Sequence, residues 1–294
     1  MTEAKSSGRR RRVVWVGAGA AVVVVAAAAF VVTQGGGGGG DGGGDGCLSG
    51  LAGNVPVDAG VLSGSDLDRA RDAGLDIDGS AEDAGKAVFD TGVQLDPLSQ
   101  RRIQVFDSST ESTGYAVGDV ECWVGEGAQE FVAHGSFDAE AITTSDAGGG
   151  VTVVRGDVLA LDTDDPPTAL FDAPSDGTPR AELVEAFDRH GAVTFAGIGV
   201  DDGDDAPWAG IGLAKGDVWE LLVVWAFPSD DAAEASVGRV LNAVHEGQVP
   251  AMVSGDVDDE LRRDGAALWL RVPLKDDISR WNTPLQMFDP MFGG

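Results

Sequence analysis

From residue 13 to residue 32 the chain reads VVWVGAGAAVVVVAAAAFVV, 20 residues without a charge. A helix rises about 1.5 Å per residue, so this run, from Val13 to Val32, covers about 30 Å, the thickness of a bilayer core. The pattern then changes in one step. Residues 35–46 contain 10 Gly and 2 Asp and have no periodicity. Glycine loses the most backbone freedom on ordering, so the stretch predicts a flexible spacer, with a root-mean-square span of about 20 Å. After Cys47 apolar periodicity returns, in both its helical and its strand form.

The segment 65–74 predicts a short helix capped by Ser65 and closed by Gly74. Ser80-Ala-Glu-Asp83 resembles a capping box and opens a second helix to about Asp90; Asp96-Pro97 starts a third. Strands are expected over 115–124 and 130–137, then a short helix from Asp138, then strands over 151–155 and 157–161. Asp162-Thr-Asp-Asp-Pro-Pro-Thr168 reads as a break. Thr178-Pro179 caps a helix that ends at Gly191, and strands follow over 192–200, 208–214 and 218–227. Ser229 caps a helix whose Ala233, Val237, Val240, Leu241 and Val244 share one face and which Gly247 closes; 267–274 is a last strand. The stretch 218–227 is apolar on both strand faces except at Glu220, the pattern of an interior strand covered on both sides.

The two halves share the order helix, strands, helix, strand. HGSFDAEAI (134–142) and AFPSDDAAEA (226–235) take matching places after a strand. The fold expected is α+β: a tandem repeat of an antiparallel sheet with helices on one face, preceded by one transmembrane helix and a Gly-rich linker. The organisation expected is a basic cytoplasmic tail (1–12), a transmembrane helix (13–33), a flexible linker (34–46) and two α+β units of an ectodomain, 47–165 and 166–294.

Charge sharpens this picture. Of the formal net charge of −29, residues 1–34 hold Lys5 and Arg9 to Arg12 against Glu3, a net +4, which leaves −33 on the remainder. Arginines before the apolar run and only Asp41 and Asp45 soon after it place the N-terminal side in the cytoplasm and the rest outside. A cleaved secretory signal, supported by the alanines at 26–29, and a twin-arginine export signal stand as alternatives. Gly44-Asp45-Gly46 before Cys47 is not a lipobox. A surface at −33 repels phosphate backbones, so nucleic acid is not expected as a partner. The expected partners are the lipid bilayer, through residues 13–32, and an unidentified extracytoplasmic protein or ligand.

The stretch NVPVDAGVLSGSDLDRAR (54–71), followed by FVAHGSFDAEAI (131–142), resembles the ectodomains of uncharacterised single-pass envelope proteins of high-GC Gram-positive bacteria. The resemblance covers about the first half of the ectodomain as pattern alone. It implies the same layout of helix, spacer and external domain, and brings no catalytic residue with it.

The sequence offers little chemistry. Gly-x-Ser-x-Gly, Walker A and His-Glu-x-x-His motifs are absent. Gly210-Ile-Gly-Leu-Ala-Lys-Gly216 approaches a dinucleotide fingerprint, but Lys215 stands at the third glycine, so the segment reads as a hairpin turn. His190 and His245 fall in last helical turns, where an imidazolium meets the helix end. His134 lies in a strand near Ser136, the one pairing a hydrolase would use. The acidic stretches 162–165, 201–205 and 256–260 do not meet the EF-hand template and read as solvated loops. Arg155-Gly-Asp157 is a turn between strands. Trp219 and Trp225, an even number apart, share a strand face, as core or as an aromatic platform. No catalytic, cofactor-binding or metal-binding residue is assigned.

Cys47 and Cys122 are the two cysteines of the chain, and count and compartment make them a disulfide candidate. Free Cys122 with lipidated or unpaired Cys47 is the competing reading. The function expected is a non-enzymatic binding, sensing or interaction module held outside the membrane, with an extracytoplasmic hydrolase and a calcium-dependent adhesion module as the alternatives.

Overall fold

The computed structural model describes residues 46–54, 60–75, 115, 117–126, 130–144, 151–155, 157–162, 177–200, 207–246 and 260–274. The apolar run 13–32, the linker before Gly46, the helices expected from residues 80 and 96, the acidic stretches 163–165, 201–205 and 256–259, and the end of the chain lie outside them. Among the described residues no helix is long and apolar enough to cross a membrane.

The elements are α1 (Ser49–Ala52), β1 (Val61–Asp66), α2 (Leu67–Asp72), a 3-10 turn (Val117–Asp119), β2 (Val120–Glu126), β3 (Glu130–Gly135), α3 (Ala139–Thr144), β4 (Val151–Arg155), β5 (Val158–Asp162), α4 (Pro179–Arg189), β6 (Ala192–Gly199), β7 (Trp208–Lys215), β8 (Trp219–Ala226), α5 (Asp230–Glu246), β9 (Leu261–Asp264) and β10 (Ala267–Pro273). Ten strands form one sheet in the order β4-β5-β3-β2-β1-β6-β7-β8-β10-β9. Every pairing in it is antiparallel. The fold is α+β, as expected, and the strands of both expected units lie in this one sheet.

The strand order repeats. β1, β2 and β3 run outward as a meander, α3 follows, and the hairpin β4–β5 returns to pair β5 with β3. β6, β7 and β8 run outward the other way, α5 follows, and β9–β10 returns to pair β10 with β8. The halves meet at β1–β6, where Val61 to Ser65 run against Ile198 to Thr194. Both outer helices start on a side-chain cap after the third strand. Asp138 Oδ1 accepts from the Glu140 and Ala141 amides, and Ser229 Oγ accepts from the Ala232 amide.

Helices cover both faces, not one. Alternation along the strands divides the core. Leu62, Cys122, Val124, Val132, Phe195, Leu222 and Val224 point to the side carrying α1 and α4. Trp123, Phe131, Ala133 and Leu159 point to the side of α2 and α3, and Ile211, Leu221, Val223, Trp225 and Leu268 to that of α5. β8 shows why a single helical layer fails: Leu221, Leu222, Val223, Val224, Trp225 and Ala226 are all buried, so each face needs its own cover. Trp219 and Trp225 do share a face, and Trp225 is core.

α4 is buried nearly all round, because α1 lies over it and the sheet lies beneath. Thr178 caps it and Pro179 fills its first turn. Phe187 stacks on Phe195 with centroids 4.7 Å apart. Its ring rests on Gly210 and Gly212, where an added Cβ would meet it at 2.6 and 2.9 Å. Glycine here permits close helix–sheet approach. Full burial of a phenylalanine contributes about 1.5–3 kcal/mol.

Three boundaries differ from the sequence reading, and in the first the strand expected from residue 115 starts at Val120, after the 3-10 turn. Ser65 does not cap α2; it belongs to β1, and its hydroxyl donates to Thr194 Oγ1 at 3.0 Å. Asp66 is the cap, accepting from the Arg69 amide at 2.9 Å. Gly74 closes α2 at φ +84°, as expected. The turn after β7 is Gly216 to Val218, with Lys215 paired to Trp219.

The glycine floor under α4 yields a signed prediction. Valine favours strands, so without the overlap Gly210→Val would stabilise β7. We expect instead a loss of about 1–3 kcal/mol from overpacking against Phe187. A lower urea midpoint at unchanged slope is the readout.

Candidate functional site

Cys47 and Cys122 form a disulfide, with Cα atoms 5.9 Å apart. Cys122 lies on the interior strand β2, and Cys47 stands just before α1. The bond therefore fastens the first described residues to the middle of the sheet.

The strand register builds a polar cluster beside this bond. Cys122 pairs with His134 of β3, so both side chains point to the α1 side. A bulge lies between Val120 and Cys122. An extra residue in one strand re-aims its side chain, and here it brings Glu121 to His134. Glu121 Oε2 lies 2.8 Å from His134 Nδ1. His134 also pairs with Val158, the first residue of β5, which places Asp157 of the β4–β5 turn nearby. Asp157 Oδ2 lies 3.5 Å from His134 Nε2. One donor atom each from Cys47, Glu121 and His134 lies within 4.8 Å of the others. The His134 and Glu121 side chains are 36% and 46% exposed, so solvent reaches the cluster.

His134 is thus flanked by carboxylates on both ring nitrogens. A Ser-His-Asp arrangement needs a hydroxyl on one of them. Among the described residues none is bonded there, and Ser136 is exposed. Of Arg155-Gly-Asp157, only Asp157 has a described side chain, and it faces the imidazole.

A second cluster lies at the seam between the halves. Asp188 of α4 is buried, and its Oδ2 accepts from the Ser49 amide at 2.7 Å. Its Oδ1 lies 2.7 Å from Arg69 Nη2. Arg69 also contacts Asp66 at 3.2 Å and donates to the Ala192 carbonyl. One guanidinium therefore ties α2, α4 and β6 together. Burial raises the Asp66 carboxyl above its ordinary value, against the lowering pull of the Arg69 amide and charge. Sequence reasoning missed this cluster.

A third cluster caps α4. His190 stacks on Trp269 with centroids 3.9 Å apart. Burial and the nearby Arg189 and Arg271 lower its pKa to about 4, while Asp264 pulls the other way. The ring is therefore neutral at pH 7, not the imidazolium expected at a helix end. Capping falls to the backbone: the His190 amide donates to Ala186 and the Gly191 amide to Asp188. The His190 carbonyl accepts from Arg271, which also grips Glu220 at 2.6 Å.

Compared with known proteins, the chain finds no match among family models, curated proteins or solved structures.

Two predictions follow from the geometry. The disulfide closes a loop of 75 residues. Loop entropy then assigns it about 4 kcal/mol, so Cys47→Ser with Cys122→Ser should lower the unfolding free energy by about that amount in urea titration. For His190, the folded pKa of about 4 lies below the ordinary 6.5. Between these values the unfolded chain takes up a proton that the native ring refuses, so stability falls as pH drops from 6.5 towards 4. His190→Phe keeps a ring on Trp269 and should fall less steeply over that window in thermal melts. Parallel curves would contradict the assignment.

Proposed function

We propose that this chain is a membrane-anchored extracytoplasmic protein whose acidic α+β domain serves as a non-enzymatic binding or sensing module. The observation that carries the reading is the Cys47–Cys122 disulfide. Such bonds persist outside the reducing cytoplasm. It uses both cysteines of the chain and lies directly after a spacer of glycine and aspartate. The uncharged run 13–32 supplies the anchor, and the arginines before it favour the cytoplasmic side. The resemblance to single-pass envelope proteins of high-GC Gram-positive bacteria points the same way.

The non-enzymatic part of the reading rests on His134, whose ring nitrogens face two carboxylates and not a nucleophile. We read the domain as an internal duplication. The repeated strand order and the matching caps at Asp138 and Ser229 support this. A duplicated scaffold presents two related outer surfaces, one around α3 and one around α5, for a partner to recognise.

The test is topology. Cells producing the full chain are fractionated, and intact spheroplasts are treated with protease. The chain should stay with membranes after alkaline carbonate washing, lose its ectodomain to external protease, and become soluble when residues 13–32 are deleted. Recovery in the cytosol, or protection from external protease, would overturn the proposal.

A further inference from the structure

The cluster beside the disulfide holds more than a structural bond requires. Three donors of the types that bind zinc converge there, the Cys47 sulfur, the His134 imidazole and the Glu121 carboxylate, and the Cys122 sulfur is bonded to the first of them. Three positions are set by the sheet. Cys122 and His134 are a cross-strand pair, and the bulge in β2 turns Glu121 towards them. Zn–S and Zn–N bonds of about 2.3 and 2.0–2.1 Å place donors in a tetrahedron about 3.3–3.8 Å apart. The separations from Cys47 Sγ to Glu121 and His134, all within 4.8 Å, reach that shape by small side-chain rotations. The one obstacle is covalent: while the sulfurs are bonded to each other they are neither thiolates nor far enough apart.

Asp157 adds an independent feature. A histidine that binds zinc through one nitrogen commonly donates its other N–H to a carboxylate, which fixes the tautomer and ring orientation. Asp157 already stands on the Nε2 side, 3.5 Å away, while Nδ1 faces Glu121. His134 would ligate through Nδ1, in place of its present bond to Glu121, and both groups would turn to the metal.

We infer that the reduced form of this protein binds one divalent zinc-type cation through Cys47, Cys122, His134 and Glu121, so that the disulfide and the metal are alternative occupants of one site. A dithiol reductant supplies the electrons. Its first thiolate attacks one cysteine sulfur and the Cys47–Cys122 bond breaks. Its second thiol closes on the mixed disulfide, leaving two cysteine thiols and a cyclic disulfide of the reductant. The cation then displaces the two thiol protons to solvent. The inference does not depend on the membrane assignment, since it concerns donor geometry alone.

The experiment uses the full chain, purified in detergent and titrated with cobalt(II) as the spectroscopic probe. One sample keeps the disulfide. The other is reduced by a water-soluble phosphine, which becomes its oxide by taking oxygen from water and offers no competing thiol. The reduced chain should bind one cobalt, with thiolate-to-metal charge-transfer absorption and the visible bands of a tetrahedral site; zinc should displace it. The oxidised chain should show neither band. His134→Ala and Glu121→Gln should each weaken cobalt binding by about tenfold or more, and Asp157→Asn by about tenfold. These variants lie at partly exposed positions, and circular dichroism of their oxidised forms checks that the fold is kept. A reduced chain that unfolds without taking up metal, the absence of a charge-transfer band, or equal affinity in the His134 and Glu121 variants would each overturn the inference.

Discussion

The ladder between β1 and β6 is the constraint on which the rest of the molecule depends. It is the only strand pairing between the halves in the ten-strand order, and it turns two outward meanders into one sheet. Without it each half would carry an edge strand whose amides and carbonyls seek partners. At its middle the seam sets the small residues Ser63, Gly64 and Ser65 against Ala196, Phe195 and Thr194. Gly64 lies under the Phe195 ring, where a Cβ would meet a ring carbon at 2.5 Å. Thr194 adds a side-chain bond to the Gly64 carbonyl at 3.1 Å. Leu62 and Phe195 bury one side of this ladder, and a polar network is fastened across it.

Arg69 and Asp188 supply that fastening. Arg69 follows directly from β1 through its Asp66 cap, and Asp188 sits near the end of α4, just before β6. Their ion pair spans the seam beside the strands that form it. Taking charges from water costs several kcal/mol per ion unless every polar atom finds a partner. Here Asp188 accepts from Ser49 and is ion-paired with Arg69, while Arg69 donates to the Ala192 carbonyl and faces Asp66. The arrangement is specific because a shift of β1 along β6 would carry Arg69 away from Asp188.

The legible parts of the sequence were those where a run of residues reports one environment. β8 announces two buried faces, and α5 shows its apolar stripe. The caps at Asp138, Thr178 and Ser229 lie where turn chemistry demands them. β1 was not legible, because Val61-Leu-Ser-Gly-Ser-Asp66 carries two apolar residues; its burial is imposed by neighbours on both sides. β9, Leu-Arg-Arg-Asp, is an edge strand whose charges face solvent and hide the strand pattern. Asp188 looks like a surface residue of an amphipathic helix, but α1, 139 positions earlier in the chain, and Arg69 of α2 cover it. Glu121 meets His134 through a bulge, a one-residue event that leaves no composition signal. The disulfide was reachable because two cysteines admit one internal pairing.

The disulfide also determines how the domain would bear a pull from the proposed anchor. Gly46, the first described residue, lies so close to Asp188 that a side chain there would overlap the carboxylate. Without a crosslink, force along the spacer would act on α1, a single turn held by Leu48, Leu51 and Ala52. Peeling it away would expose α4, and would take the Ser49 amide from Asp188. The Cys47–Cys122 bond intercepts that force one residue after Gly46. It passes the force to β2, which is bonded along both edges to β1 and β3. The load would then fall on two interior ladders at once, while α1 is spared. Opening the disulfide, with nothing to rejoin the two cysteines, would return that load to α1.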